Sequence, residues 1–351
     1  MAQTRPTSVR ASLLLLPLVV CLHATYLHGV GQAQGLPIGI VQIYGNHRVS
    51  ENDVRKILGV REGGSLPKSK GDIEERLASL DNVVSANLFA ACCDEKRTIL
   101  YVGIEERGST HFDFNEEPTD DQVTLPIAIG QAYAQFLNAA SVAAKAGETG
   151  ELLSDGHSLM QSAKVRYIQL GFLAMADDNV AILRKVLAQS ADPEQRAIAA
   201  YVIGYVKDKA SVQEDLQKAL RDADPTVRAN ALRALAAFVV YSQKHPEAGL
   251  RISPTWLIEM LHSIVWTDRN NAAVALVTLT EGRDGALLDQ LRERAIQPIV
   301  EMARWKYLPH ALPGFILAGR LAGLSEEDLQ AAWNKETREP VIKKAVASAK
   351  R

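Results

Sequence analysis

The phrase Asp192-Pro193-Glu194-Gln195-Arg196 returns as Asp224-Pro225-Thr226-Val227-Arg228, a period of 32 residues. A unit of that length cannot bury its apolar face alone, so copies must stack into one continuous core. Each aspartate stands where a helix N-cap is expected, and the proline after it fills the first helical position, where a missing N–H costs nothing. In the first copy Ala197, Ile198, Ala200, Tyr201, Gly204 and Tyr205 cover nearly the whole circumference, as in a helix packed on both sides. The next segment is one-sided. Val212, Leu216, Ala219 and Leu220 form its stripe, leaving Glu214, Asp215, Gln217 and Lys218 to water. One inner and one outer helix per unit are predicted.

An earlier copy starts at Ser162, with Val165-Arg166 in the slot of Gln195-Arg196. Ser162-x-x-Val165-Arg166, Asp192-Pro193-x-x-Arg196-x-x-Ala199 and Asp224-Pro225-x-Val227-Arg228-x-x-Ala231 resemble HEAT-type repeats, closest to the short variety also found in bilin lyases. The resemblance implies an α-solenoid in which Asp192, Arg196, Asp224 and Arg228, with Arg166 before them, act as a structural ladder between repeats. Further on, Ser253-Pro254 starts a helix striped by Trp256, Leu257, Met260, Leu261 and Ile264. Thr267-Asp268-Arg269-Asn270 then opens a fourth inner helix that keeps the cap and loses the arginine slot. Pro298, Pro309 and Pro313 are expected to divide the remainder into short capping helices.

The front of the chain differs. Residues 1–33 carry Arg5 and Arg10, an apolar run from Leu13 to Leu22, and small residues up to Ala33, the pattern of an export signal too short to span a bilayer. From Pro37 to Glu106 the order reads strand, helix, helix, strand, strand. Ile38 to Tyr44 end in the Gly45-Asn46 turn, Ser50 starts a helix striped by Val54, Ile57 and Leu58, and Ile73, Leu77 and Leu80 mark the second. Val83 to Phe89 and Thr98 to Ile104 close the unit. That order, with Ile43-Tyr44-Gly45-Asn46-x-x-Val49-Ser50, Leu80-Asp81-Asn82-Val83-x-x-Ala86 and Ile104-Glu105-Glu106, resembles a POTRA domain. The resemblance implies a module that binds polypeptides by pairing a strand with a sheet edge, with Gln42 and Ser85 marking the candidate edges. No β-barrel follows: everything after Leu125 has helical periodicity.

The organisation expected is therefore multidomain: a signal peptide (1–33), a small α+β POTRA-like domain of order β-α-α-β-β (37–106), an acidic linker (107–122) and an all-α HEAT-like solenoid (123–297) with C-terminal capping helices (298–351). The linker, with Phe112 and Phe114 among acidic and turn-forming residues, reads as a solvated tether. With Cys21 in the leader, Cys92-Cys93 are the cysteines of the mature chain. An adjacent pair fits a vicinal disulfide, two small structural residues, or a link to another chain.

Nothing points to chemistry. The histidines past the leader, His47, His111, His157, His245, His262 and His310, have no metal-site spacing, and Gly63-Gly64 lacks the rest of a dinucleotide fingerprint. Asp155, His157 and Ser158 lie too close in sequence for a triad assembled from distant segments. A net charge of -2 gives no footprint for nucleic acid. The function expected is a non-enzymatic, cofactor-free protein–protein adaptor or scaffold. It would be secreted, into the periplasm of a diderm bacterium, with a protein or polypeptide partner in the cell envelope. The alternatives are an enzyme on a HEAT-like array similar to bilin lyases, and a self-associating structural envelope protein.

Overall fold

The computed structural model describes residues 36–94, 97–148, 150–335 and 337–349. The expected leader, 1–33, lies outside them, as do the side chains of Cys92 and Cys93, so the disulfide alternatives rest on sequence alone.

Strand β1 (Ile38–Tyr44), helices α1 (Glu51–Leu58) and α2 (Lys70–Ala78) and strands β2 (Val83–Asp94) and β3 (Arg97–Glu106) follow one another in the order expected from sequence. Both helices start on serine caps: Ser50 Oγ accepts the Asp53 N–H and Ser69 Oγ that of Asp72. β3 is central, parallel to β1 and antiparallel to β2. Its alternation decides how the unit sits. Leu100, Val102 and Ile104 join Ile38, Val41, Val54, Leu58, Ile73 and Leu77 in a core beneath the two helices. Ile99 and Tyr101 face the other way and join the core of the helical region, together with Tyr44 and Ala91. A sheet apolar on both faces must be covered on both. Here the second cover is the solenoid.

The helical region comprises α3 (Ile127–Lys145), α4 (Ala163–Asp178), α5 (Val180–Gln189), α6 (Pro193–Ile203), α7 (Gln213–Ala219), α8 (Pro225–Lys244), α9 (Thr255–Met260), α10 (Trp266–Leu279), α11 (Gly285–Ala303), α12 (Leu308–Leu321), α13 (Glu326–Asn334) and α14 (Arg338–Ser348). From α5 onward outer and inner helices alternate: α6, α8, α10 and α12 pack in a row, backed by α5, α7, α9 and α11. Asp192 and Asp224 are the N-caps of α6 and α8, each accepting two backbone N–H bonds. The inner helices are wrapped on all sides, and every residue from Arg196 to Ile203 is buried. Part of the wrapping is α3, whose Tyr133 and Phe136 lie against Tyr201. Part is a short hairpin, β4 (Glu151–Leu152) with β5 (Leu159–Met160), tied down by a buried ion pair of 2.8 Å between Glu151 and Arg233. Ser158 Oγ donates to Glu151 and accepts from Arg233 Nε, so the polar residues of this loop build a clasp.

Two expectations are corrected. α10 begins at Trp266 with Val265 as its cap, and Asp268 caps nothing. α11 also runs straight through Pro298, and α12 through Pro313, so the boundary expected at 298 falls inside a helix. Pro298 has no N–H for the Arg294 carbonyl four residues back. His262 supplies the missing donor, its Nε2 lying 2.8 Å from that oxygen. His262, partly buried, thus lets a proline sit in mid-helix.

Candidate protein-binding surfaces

The repeated arginine sits one turn into each inner helix and reaches both ways along the stack. Arg196 Nη1 donates to the Ser190 and Ala191 carbonyls at 2.9 and 3.2 Å, while its Nε and Nη2 fork onto Asp222 at 2.8 and 2.9 Å. Arg228 repeats this: Nη1 holds the Asp222 and Ala223 carbonyls, both at 2.8 Å, and Nε and Nη2 hold Asp268, at 2.7 Å for the shorter bond. Arg269 continues it, with Nε on the Ser263 carbonyl at 2.6 Å and Nη1 on Glu301 at 2.5 Å. Each arginine thus ties the turn before its own helix to a carboxylate of the next unit. The acids of the ladder are Asp222, Asp268 and Glu301. Asp192 and Asp224, expected from the resemblance to be its acidic members, are spent on helix capping. The arginine slot is not lost at the fourth helix but filled by Arg269. Arg166 stands half-buried, and two residues before the Asp192 cap, where Asp222 precedes the Asp224 cap, the sequence has Ser190 in place of an acid.

A guanidinium saturated in its plane still offers its faces, which attract aromatic rings. The N-terminal part of the chain uses them. The Tyr44 ring covers Arg269 at 4.6 Å, and its hydroxyl donates to the Ile264 carbonyl at 2.5 Å. Beside it the Gly45 N–H donates to Glu301 at 2.7 Å. Gly103 is required at this contact, since any Cβ there would collide with the Ile264 carbonyl oxygen. Phe114 covers Arg228 at 4.3 Å, and Phe112 is buried in the solenoid core. The segment expected to be a solvated tether therefore lies against the edge where the inner helices begin. Aromatic burial outweighs its acidic composition.

The sheet docks through an aromatic cluster. Trp266 stacks on Tyr101 and on Phe89, each at 5.0 Å between ring centres, Trp305 lies 5.6 Å from Tyr44, and the Tyr101 hydroxyl meets His310 Nδ1 at 2.5 Å. Burial pushes the His310 imidazole from its ordinary 6.5 down to about 3. The unfolded chain therefore takes up a proton that the folded one refuses, and stability falls as pH drops below about 6.5. Between pH 7 and pH 5 the expected loss is about 2 kcal/mol, read as a lower urea midpoint. His310→Asn, which keeps an acceptor for Tyr101 but cannot be protonated, should flatten that slope. An unchanged slope would refute the assignment.

A cavity of about 270 Å³ remains between the Gly45–Arg48 turn and α10–α11. Its acids are already engaged: Glu106 accepts the Arg48 and Val49 N–H groups and Glu301 those of Gly45 and Arg269. The cavity reads as a by-product of docking. Among the described residues no cluster of three or more His, Cys, Asp and Glu side chains is arranged to hold a metal ion, and no helix is long and apolar enough to cross a membrane.

The two candidate edges differ. The outer side of β1 is closed: the Val41 N–H donates to Glu62, loop residues Gly63 and Gly64 bond to Ile38, and the Gln42 side-chain oxygen accepts the Lys306 N–H at 2.9 Å. Gln42 therefore does not mark a free edge. β2 is the other terminal strand, and among the described residues no strand lies beyond it. Midway along it, the Leu88 N–H is taken by Glu74 at 2.6 Å. The stretch before that carries Val84, half exposed, and Ser85, whose hydroxyl donates to Glu105.

Sequence reasoning missed Asp222, Asp268, Glu301 and Arg269. A signal was present for Asp222: in Asp222-Ala223-Asp224-Pro225 only one acid can cap the helix, which frees the other for a partner. Glu301 had none, since its place depends on the packing of α11.

A family model described as HEAT repeats matches residues 180–277. No curated protein matches the chain. The matched residues run from the start of α5 to near the end of α10 and enclose Arg196, Arg228 and Arg269, so the C-terminal region is a helical solenoid with HEAT-like repeats.

Proposed function

We propose that this chain is an exported, non-enzymatic adaptor of the cell envelope in which the POTRA-like domain, carried rigidly on the solenoid, captures a polypeptide by adding it as a strand to β2. HEAT repeats commonly mediate protein–protein interaction, which fits a scaffold. The observation that carries the reading is the asymmetry of the sheet. β1 is sealed by the solenoid and the 61–64 loop, whereas among the described residues β2 ends the sheet, with Val84 exposed ahead of Leu88. An open edge supplies a row of backbone donors and acceptors to an incoming strand. The export pattern in residues 1–33 supports a periplasmic setting.

Photo-reactive residues placed at Ser85 and at Gln42 in cells test this. Ser85 should give adducts dominated by one envelope protein, and Gln42 should give intramolecular products only. Equal adducts from both positions, or adducts with cytoplasmic proteins alone, would sink the reading.

A further inference from the structure

Helix α4 stands ahead of α6 at the start of the inner row and shows water an apolar seam. Its buried side is Val165, Gln169, Phe172 and Ala176. The opposite side carries Lys164, Tyr167, Gly171, Ala174 and Asp178, all exposed, at the i, i+3, i+7, i+10 and i+14 spacing of a coiled-coil seam. Tyr167 is 80% exposed, and Leu170 beside it 45%. From Tyr167 to Ala176 no residue is charged. The end of a repeat array needs a polar outer face. The last helix, α14, has one in the exposed Glu339, Lys343 and Lys344, whereas the middle of α4 does not.

Two features say what covers this seam. Gly171 stands in mid-helix, where glycine costs about 0.5–1 kcal/mol relative to alanine. A Cβ there would meet nothing within 4 Å, so the chain's own packing does not require the glycine, and what it accommodates comes from outside. The second feature is charge. Lys164 and Asp178 lie seven residues to either side of Gly171, two helical turns each way, and among the described residues neither is in an ion pair. Asp177, next to Asp178, is already bonded to the Lys207 N–H. Opposite charges equidistant from a small central residue make the seam complementary to itself. Turned about a two-fold axis through Gly171, Lys164 of each copy meets Asp178 of the other, and the large Tyr167 meets the small Ala174.

We propose that α4 is a self-association surface, through which two copies of this chain pack antiparallel about Gly171. A helix of 16 residues is about 24 Å long, so the interface falls below the standard size and the dimer is weak, with a Kd of about 10–100 µM. The inference concerns α4 and does not rest on the β2 reading, so either can fail alone.

Sedimentation velocity over about 1–300 µM should show the chain passing from monomer to dimer. Lys164→Glu and Asp178→Lys should each weaken association at least about tenfold, since each variant's own dimer holds two like-charged pairs. Mixed in equal amounts they should recover it, because in the mixed dimer both pairs again join opposite charges. Both side chains are exposed, so neither change disturbs the fold. Gly171→Ala supplies a second readout: it should raise the Tm of the dilute chain yet weaken the dimer. A chain that stays monomeric at the top of that range would show that the seam meets some other partner and would overturn the proposal. So would a dimer indifferent to the single charge reversals, or a mixture that associates no better than either variant alone.

Discussion

Arg228→Ala should destabilise the solenoid by about 3–5 kcal/mol, the range for removing one partner of a buried ion pair. For a helical region of this size that corresponds to a fall in Tm of roughly 10 °C. The side chains of Arg228 and Asp268 are each only 1% exposed. Deleting the guanidinium strands the Asp268 carboxylate away from water, with Ser263 Oγ as its remaining donor, and orphans the Asp222 and Ala223 carbonyls. It also removes the platform under Phe114. The comparison that decides between ladder and cap is Asp224→Ala, which loses two N-cap bonds and should cost about 1 kcal/mol. A third chain, Arg228→Met with Asp268→Leu, replaces the pair by apolar groups and should recover most of the loss. Thermal melts of the three resolve the matter. If Asp224→Ala proves as damaging as Arg228→Ala, the aspartates of the repeated phrase belong to the ladder after all.

What is legible in the sequence follows from the range of the forces involved. Caps and period are local, so Asp192, Asp224 and the alternation of inner and outer helices show in the residue pattern itself, as does the β-α-α-β-β order with Ser50 at a helix start. The partner of each arginine is set by how one unit stacks on the next, and a 32-residue period does not encode it. Hence the true acids, Asp222 and Asp268, stay hidden behind the more regular Asp192 and Asp224. The helix breaks expected at Pro298 and Pro313 fail for a related reason. A proline's lost hydrogen bond can be replaced from outside the helix, and His262 replaces one of them. Domain docking, by contrast, leaves a trace in the strand pattern. Ile99 and Tyr101 alternate with Leu100 and Val102, so both faces of β3 are apolar, and a two-faced sheet with helices on one side only requires another cover. Phe112 and Phe114 are likewise visible in the linker, but its composition points to solvent while the aromatic rings point to a surface.

Trp266→Ala should release the sheet from the solenoid while leaving each to fold. Trp266 is 2% exposed and stacks on Tyr101 and Phe89 of the sheet, with His310 at 4.7 Å on the solenoid side. Truncating a buried Trp costs about 3–5 kcal/mol, through lost transfer energy and the cavity left behind. The location of that cost matters more than its size. The core formed by Ile38, Val54, Leu77, Leu100 and Val102 lies on the opposite face of the sheet and does not include Trp266. Inside the solenoid, the ladder and the packing of α6, α8 and α10 continue past the position. The loss should therefore fall on docking, converting one cooperative unfolding transition into two and exposing residues 107–122 to protease. The contacts that remain, Tyr44 and Tyr101 on Trp305, Tyr101 on His310, the Gly45–Glu301 bond and the Phe112 and Phe114 rings, lose the central ring between sheet and solenoid. Calorimetry and limited proteolysis read both effects. A single transition at lower temperature, with the linker still protected, would mean that the sheet cannot stand without the solenoid. The two faces of β3 would then belong to one core, and an adaptor that presents β2 would owe its rigidity to that shared core rather than to a docked, separable domain.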